Sequence, residues 1–283
     1  LNTSNPTVTP KTSALEVERF SPNIGAIVKG VDMCQPASAP VAEELRRLLV
    51  EHKVLFLRDQ HIDRAQFVAF GHSLGTPQRF PFVPATKDQP EVIRVHFHDQ
   101  RPPRLNAWHA DDSWRPAPAL ATMLIAKKLP SCGGDTLFAN MEKAYDGLNN
   151  GLRNIVDAHN GIHCIRYFSH IMRKRQLPES SITETEKRFP PTMHPLAKPH
   201  PVSGNKALFA NKAFTTGIEG MSESESQLVL EELFRQAWIP EYQCRFQWEV
   251  GSVAIWDNYS SQHYPVADYF PEERLMERMS IIL

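Results

Sequence analysis

Twenty-three prolines are spread along the 283 residues of this chain. The proline ring removes a backbone donor and clashes with the preceding helical turn, so it is kept out of helix interiors and central strands. A chain interrupted this often favours many short segments over a helical bundle. Several of those segments have the pattern of strands. Gly25-Ala26-Ile27-Val28 and Val54-Leu55-Phe56-Leu57 read as buried strands, and Leu120 to Ala126 is nearly all apolar. Glu91 to His98 alternates, with Ile93, Val95 and Phe97 on one side and Val92, Arg94, His96 and His98 on the other. Thr136-Leu137-Phe138 is a further short strand, Cys244, Phe246 and Trp248 alternate with Arg245 and Gln247, and Val253 to Trp256 is apolar again.

Helices fall between these runs. Leu45, Leu48 and Leu49 recur at helical spacing within Val41 to His52. Asp63 stands where an N-cap belongs, ahead of Phe67, Phe70 and Leu74, and Asn140 opens a helix reaching about Leu148. Ser222 followed by Glu225 is a capping-box signature for a helix carrying Leu228, Leu230, Leu233 and Phe234. The expected fold is therefore mainly β, a sandwich or jelly roll with inserted and flanking α-helices. A tail over residues 1–13, rich in Thr, Ser, Pro and Asn, is expected to be disordered, with one domain over residues 14–283. The polar stretch 171–190 reads as a mobile surface insertion or lid.

Charge and cysteine usage narrow the partners. The 31 basic and 32 acidic residues nearly cancel, so no global field favours nucleic acid or an anionic membrane. No run approaches the roughly 18 apolar residues of a membrane span, and the N-terminus lacks a signal-peptide pattern. Cys34, Cys132, Cys164 and Cys244 are scattered with no Cys-x-x-Cys spacing, which suits four reduced thiols in the cytosol. A cytoplasmic protein acting on small molecules is expected.

The candidate chemistry lies in Trp108-His109-Ala110-Asp111. On a strand, residues two apart point to one face, so His109 and Asp111 could offer two ligands to one metal ion. His263, far along the chain, is the best third ligand. Two imidazoles and one carboxylate form the facial triad of non-haem Fe(II) oxygenases, which leaves positions open for co-substrate and dioxygen. The pattern alone is weak, since His61-Ile62-Asp63 repeats it at a helix cap. Arg274 and Arg278, four apart, share a face as helix or strand and suit bidentate carboxylate binding. Surface ion pairing with Glu272, Glu273 and Glu277 is the alternative use of these arginines.

With these residues in place the chain resembles the taurine and phenoxyacetate dioxygenases, including the alkylsulfatase-like members. The resemblance runs from about Phe20 to Leu283. Its landmarks include Lys53-Val54-Leu55-Phe56-Leu57-Arg58-Asp59-Gln60, Trp108-His109-Ala110-Asp111, Leu129-Pro130-Ser131-Cys132-Gly133-Gly134-Asp135-Thr136-Leu137, His200-Pro201-Val202-Ser203-Gly204, Ala254-Ile255-Trp256-Asp257-Asn258 and Arg274-Leu275-Met276-Glu277-Arg278. It implies a double-stranded β-helix, Fe(II) held by His109, Asp111 and His263, and 2-oxoglutarate and O2 as co-substrates. It implies further that Thr136 and Arg274 hold the distal carboxylate of 2-oxoglutarate, that Trp256 lines that site, and that Arg278 and Phe214 face the substrate. A homo-oligomer, dimer or tetramer, is also implied. The reaction would release succinate and carbon dioxide while hydroxylating a small organic anion.

The chain departs from the taurine-specific pattern where Phe80 and Val83 replace a polar pair, which leaves a sulfonate poorly satisfied. A larger, more apolar anion of alkyl sulfate, sulfonate or aryloxyalkanoate type is expected. Asp112, on a strand, would point away from the Asp111 face, to solvent or a structural partner. Two other readings of the triad are a metal-binding module without turnover and a zinc hydrolase, since catalytic zinc also takes three protein ligands.

Overall fold

A computed structural model describes residues 15–82, 88–103 and 106–283. The expected tail over 1–13 and Val83 lie outside the described residues. In chain order the strands are β1 Glu16–Arg19, β2 Ala26–Lys29, β3 Val54–Leu57, β4 Thr76–Gln78, β5 Ile93–Phe97, β6 Ala121–Lys128, β7 Thr136–Asn140 and β8 Asn160–His163, continuing with β9 Thr192–Pro195, β10 Ala197–Pro199, β11 Lys206–Leu208, β12 Thr215–Ile218, β13 Gln243–Phe246, β14 Val253–Asp257, β15 Ser261–Pro265 and β16 Arg274–Ile282. The helices are α1 Ala39–His52, α2 Arg64–Leu74, α3 Met141–Asp146, α4 Asn150–Ala158, α5 Arg166–Lys174, α6 Glu179–Arg188 and α7 Glu223–Arg235.

The main sheet runs β1-β2-β3-β14-β6-β16-β4, with β5 also paired to β16. Its pairings are antiparallel except β2 with β3. Side-chain alternation explains why β3 and β14 are buried throughout and apolar but for Asp257 at the end of β14, because each is covered on both faces. Leu55, Leu57, Ile125, Ile255 and Met279 pack with Leu45, Leu48, Phe67 and Phe70 of α1 and α2. The alternate residues Val54, Phe56, Leu124, Ala254 and Trp256 pack with Phe138, Cys244 and Phe246 of a second sheet, β13-β7-β15. Phe56 stacks on Phe246 with ring centroids 4.0 Å apart. The two sheets thus face each other across an aromatic core, as the alternation at Cys244, Phe246 and Trp248 anticipates.

Both capping signatures are built as expected. Asp63 and Gln66 close a reciprocal capping box on α2, and Ser222 and Glu225 close one on α7. On α7 the residues buried are Ser226, Leu230, Leu233 and Phe234, one helical stripe, while Leu228 stands outward and is 74% exposed. The helix carries all four apolar residues named from the sequence, and three of them face the core. The stretch 171–190 lies within the helix pair α5 and α6. Phe168, just ahead of the segment in α5, stacks on Phe82 at 4.3 Å, and Phe189, near its end, lies 5.3 Å from Trp114, so aromatic contacts flank this polar stretch.

The turn from β14 to β15, which delivers His263, is held by a buried pair. Oδ1 of Asp257 accepts the backbone N–H groups of Tyr259 at 2.7 Å and Ser260 at 3.1 Å. Oδ2 of Asp257 accepts from Nε2 of His200 at 2.7 Å, and both side chains are fully buried. Nδ1 of His200 accepts from the N–H groups of Val202 and Ser203, which places the ring proton on Nε2. His200→Ala leaves a buried carboxylate short of a donor and is expected to lower unfolding stability by about 2–4 kcal/mol in urea. An unchanged midpoint would show that the pair does not hold this turn.

Candidate metal and co-substrate centre

The segment Trp108–Asp111 is not the regular strand expected of it. His109 makes an isolated bridge to His263, its N–H donating to the carbonyl of His263 at 3.0 Å and its carbonyl accepting from the N–H of His263 at 2.9 Å. After Ala110 the chain turns, with Asp112 in the left-handed region at φ 57 and the N–H of Arg115 donating to the Asp112 carbonyl at 2.8 Å. The ligand atoms of His109 and Asp111 still converge, as expected, although only His109 takes part in a bridge and the turn follows directly on Asp111.

Ligand atoms of His109, Asp111 and His263 lie within 4.8 Å of one another, and all three residues are buried. Nδ1 of His109 donates to the carbonyl of Ala107 at 2.8 Å, which leaves the Nε2 lone pair free, 3.7 Å from Oδ1 of Asp111. Oδ2 of Asp111 and Nδ1 of His263 are buried with no hydrogen-bond partner. Burial pushes the pKa of His109 down and that of His263 well down. Burial would raise the Asp111 carboxyl, but the effects that oppose it, the Arg278 charge foremost, hold it low. Neutral imidazoles beside an ionised carboxylate are the protonation states a divalent metal ion needs.

A cavity of about 140 Å³ extends from the triad to Thr136, Trp256, Tyr269 and Arg274. Arg274 is buried, its Nε has no hydrogen-bond partner, and no carboxylate among the described residues forms an ion pair with it. Burial pushes its pKa down. Gly134 (φ +74) lets the guanidinium lie close, since a Cβ there would stand 3.1 Å from Cδ and Nε of Arg274. Oγ1 of Thr136 accepts from Nε1 of Trp248 at 3.0 Å, leaving its own proton to donate. The Trp256 ring lies 4.7 Å from the His263 ring and packs the triad from behind. These residues form an acceptor-seeking pocket beside a metal-ligand set, which suits a small dicarboxylate.

A second cavity of about 180 Å³ lies against Phe80, Trp114, Phe168, Phe214 and Arg278. Nη2 of Arg278 lies 3.2 Å from Oδ1 of Asp111, 3.9 Å from Oδ2 of Asp112 and 3.1 Å from Oγ of Ser280. Its Nε is buried without a partner, and its guanidinium lies 5.4 Å from the Phe80 ring centre. Arg274 and Arg278 do share a face of β16; Arg274 lines the first cavity, while Arg278 lines both. Asp112 is buried, not turned to solvent. The Asp111–Arg278 contact and the roles of Tyr269, Trp248 and Ser280 escaped the sequence reading, because nothing local ties those positions together. A larger cleft of about 650 Å³, lined by Arg166, Tyr167 and Thr215 among others, contains none of the three ligands and meets the second cavity only at Tyr167. Chemistry therefore favours the two smaller cavities.

Fold and site together define a two-histidine, one-carboxylate centre with an adjoining acid pocket, carried between two facing sheets. Residues 16–280 match the family described as taurine catabolism dioxygenase TauD, TfdA family, and the chain belongs to that family. It is a 2-oxoglutarate-dependent dioxygenase, an oxidoreductase. The chain is 32% identical to an alpha-ketoglutarate-dependent sulfate ester dioxygenase of Pseudomonas putida, over 96% of this chain and 91% of that protein. It is 29% identical to an alpha-ketoglutarate-dependent 2,4-dichlorophenoxyacetate dioxygenase of Cupriavidus pinatubonensis, over 84% and 87% respectively. The structure of AAD-2 in complex with Mn(II) and N-oxalylglycine superposes with a TM-score of 0.80 at 25% identity, covering 95% of this chain and 97% of that one. Among the described residues no helix is long and apolar enough to cross a membrane.

The buried histidines give the metal-free protein a pH signature. His109, His163 and His263 are held below their ordinary value by burial, and His194 is lowered to about 4 for the same reason. The unfolded chain takes up these protons near pH 6.5 while the folded protein does not, so stability present above that pH is lost as pH falls. The melting temperature should drop steadily from pH 6.5 to 5.5, each group contributing up to about 1.4 kcal/mol per pH unit. A flat profile over that window would contradict neutral burial of the triad histidines.

Proposed function

We propose that this dioxygenase binds Fe(II) through His109, Asp111 and His263 and hydroxylates a small organic anion with an apolar body. The anion is of sulfate ester, sulfonate or aryloxyalkanoate type, with taurine disfavoured. The observation that carries the reading is the buried Arg274, which shares a small cavity with the triad, keeps an Nε without a hydrogen-bond partner and has no carboxylate in an ion pair with it among the described residues. A buried guanidinium without a full set of partners is costly unless a ligand answers it. A binding module or a zinc hydrolase has no use for such a clamp. We further take the two facing sheets as a double-stranded β-helix.

When bound, Fe(II) with 2-oxoglutarate supplies oxygen activation coupled to decarboxylation, giving succinate and carbon dioxide. The protein's own residues bind and orient. Arg274, with the Thr136 hydroxyl, holds the distal carboxylate of 2-oxoglutarate by charge-assisted hydrogen bonds. Trp256 and Phe138 pack against the His263 ring and fix its orientation. Arg278 receives the anionic head of the substrate through its unpartnered Nε, while Phe80, Trp114, Phe168 and Phe214 enclose the body and exclude water. If the hydroxylated carbon bears an ester or ether oxygen, the product collapses to a carbonyl compound and releases the sulfate or phenol.

Anaerobic protein given Fe(II) and 2-oxoglutarate should develop the weak visible charge-transfer band of the chelate. No band, with activity only in zinc, would sink the oxygenase centre. Arg274→Ala should raise the 2-oxoglutarate concentration needed for half-saturation about a hundredfold while metal affinity stays unchanged. Equal loss of both would make Arg274 a structural residue. Succinate release should be greater with alkyl sulfates or aryloxy acids than with taurine, and taurine turning over fastest would overturn the substrate class.

A further inference from the structure

The two side chains assigned to the distal carboxylate of 2-oxoglutarate differ in kind. A guanidinium can only donate hydrogen bonds, whereas a hydroxyl donates or accepts and rotates between the two. A Thr136 that turned its lone pairs toward a carboxylate would repel it, and fixing its direction before the ligand arrives removes that cost. The fold supplies such a fixture at Trp248. Thr136 opens β7 and stands opposite Phe246 of β13. Trp248, two residues on, continues the alternation of Cys244 and Phe246 into the core, its ring edge-on to that of Phe246 at 4.9 Å. Its Nε1 then lies 3.0 Å from Oγ1 of the buried Thr136.

That hydrogen bond has one sense only. An indole N–H donates and never accepts, so Oγ1 is the acceptor and the Thr136 proton is turned elsewhere. Among the described residues no acceptor takes this proton, and Thr136 lines the cavity shared with the triad. The same indole reaches the second member of the clamp. The guanidinium carbon of Arg274 lies 5.9 Å from the Trp248 ring centre, within the reach of a cation–π contact, and 5.8 Å from that of Tyr269. Trp248 is not itself among the residues that line the cavity. It touches both donors from behind.

We propose that Trp248 is a positioning residue for the co-substrate: its indole N–H holds Thr136 as a donor toward the distal carboxylate, and its ring backs the Arg274 guanidinium. The role rests on Thr136 and Arg274 holding 2-oxoglutarate as proposed above. Trp248 makes no contact with the co-substrate, and its effect passes through the Thr136 hydroxyl.

The test compares 2-oxoglutarate with 2-oxovalerate, which has the same carbon chain and keto acid but no distal carboxylate. Each is titrated into anaerobic protein holding Fe(II), and binding is read from the visible chelate band, without turnover. Trp248→Phe keeps a ring and loses the N–H. It is expected to weaken 2-oxoglutarate about fivefold, the worth of one hydrogen bond, and to leave 2-oxovalerate unchanged. Thr136→Val should weaken 2-oxoglutarate at least as much. Adding Trp248→Phe to Thr136→Val should then cost nothing more, because the hydroxyl it orients is gone. Trp248 is half-buried just past the end of β13, so Phe opens no large core cavity there. Trp248→Leu is the second variant, with the same selective loss expected, and melting temperatures show that each is folded. Unchanged 2-oxoglutarate binding in folded Trp248→Phe overturns the proposal. So does equal weakening of both ligands, which a merely structural ring would give, or additive losses in the double variant. The levels separate cleanly. No band in the native protein defeats the reading of the centre, and a band indifferent to Thr136→Val defeats the place of Thr136 in the clamp. A loss in Thr136→Val with none in Trp248→Phe defeats the role of Trp248 alone.

Discussion

The centre depends on two backbone hydrogen bonds exchanged between His109 and His263. They join segments remote in sequence and set the two imidazoles side by side, with ring centroids 4.1 Å apart. Everything else near the centre serves this contact. β15 is held to β7 by a five-residue ladder in which His263 faces Phe138. The Asp257–His200 pair fixes the turn that starts β15. The chain turns directly after Asp111, with Asp112 in the left-handed region, so the two ligands converge without a long strand.

Electrostatics follows from that geometry. One strand, β16, supplies both arginines: Arg274 lines the cavity beside the triad, and Arg278 lies between that cavity and the second. Arg274 has no carboxylate partner among the described residues, whereas Arg278 already faces Asp111 and Asp112. Buried charge without a partner is costly, so the first arginine is poised for an anionic ligand. Arg278 stabilises Asp111 as a carboxylate and keeps only part of its donor set for a substrate. A metal ion on the triad would satisfy the orphaned Asp111 oxygen and draw the neutral histidines into use.

Periodicity made the framework legible. Alternation in the β5 and β13 regions and the apolar runs Val54 to Leu57, Leu120 to Ala126 and Val253 to Trp256 marked the sheets, and Asp63 and the Ser222–Glu225 pair marked two helix starts through local side chain–backbone bonds. The convergence of His109, Asp111 and His263 was anticipated from residue type together with the family resemblance, since the spacing alone was no stronger than at His61-Ile62-Asp63. Positions governed by distant contacts were not. A left-handed Asp112 carries no sequence signal, so Trp108–Asp111 read as a strand and Asp112 as pointing away. Leu228 fits a helical stripe on paper, yet the buried stripe runs one residue pair over, through Ser226 and Leu230. The α5–α6 segment looked like an open insertion because its charged residues outnumber Phe168 and Phe189, the two rings that pin it to Trp114 and Phe82. The pairing of Asp111 with Arg278 needed the folded register of β16, in which Arg278 opposes Leu124 of β6 and Ile93 of β5.

The central claim is that His109, Asp111, His263 and Arg274 form one metal and co-substrate centre. A crystal structure of the protein grown anaerobically with Mn(II) and N-oxalylglycine tests it most directly. The account predicts the metal on His109, Asp111 and His263, with the distal carboxylate of N-oxalylglycine on Arg274 and Thr136. Metal bound elsewhere, or that carboxylate seated on Arg278 with Arg274 untouched, would contradict it.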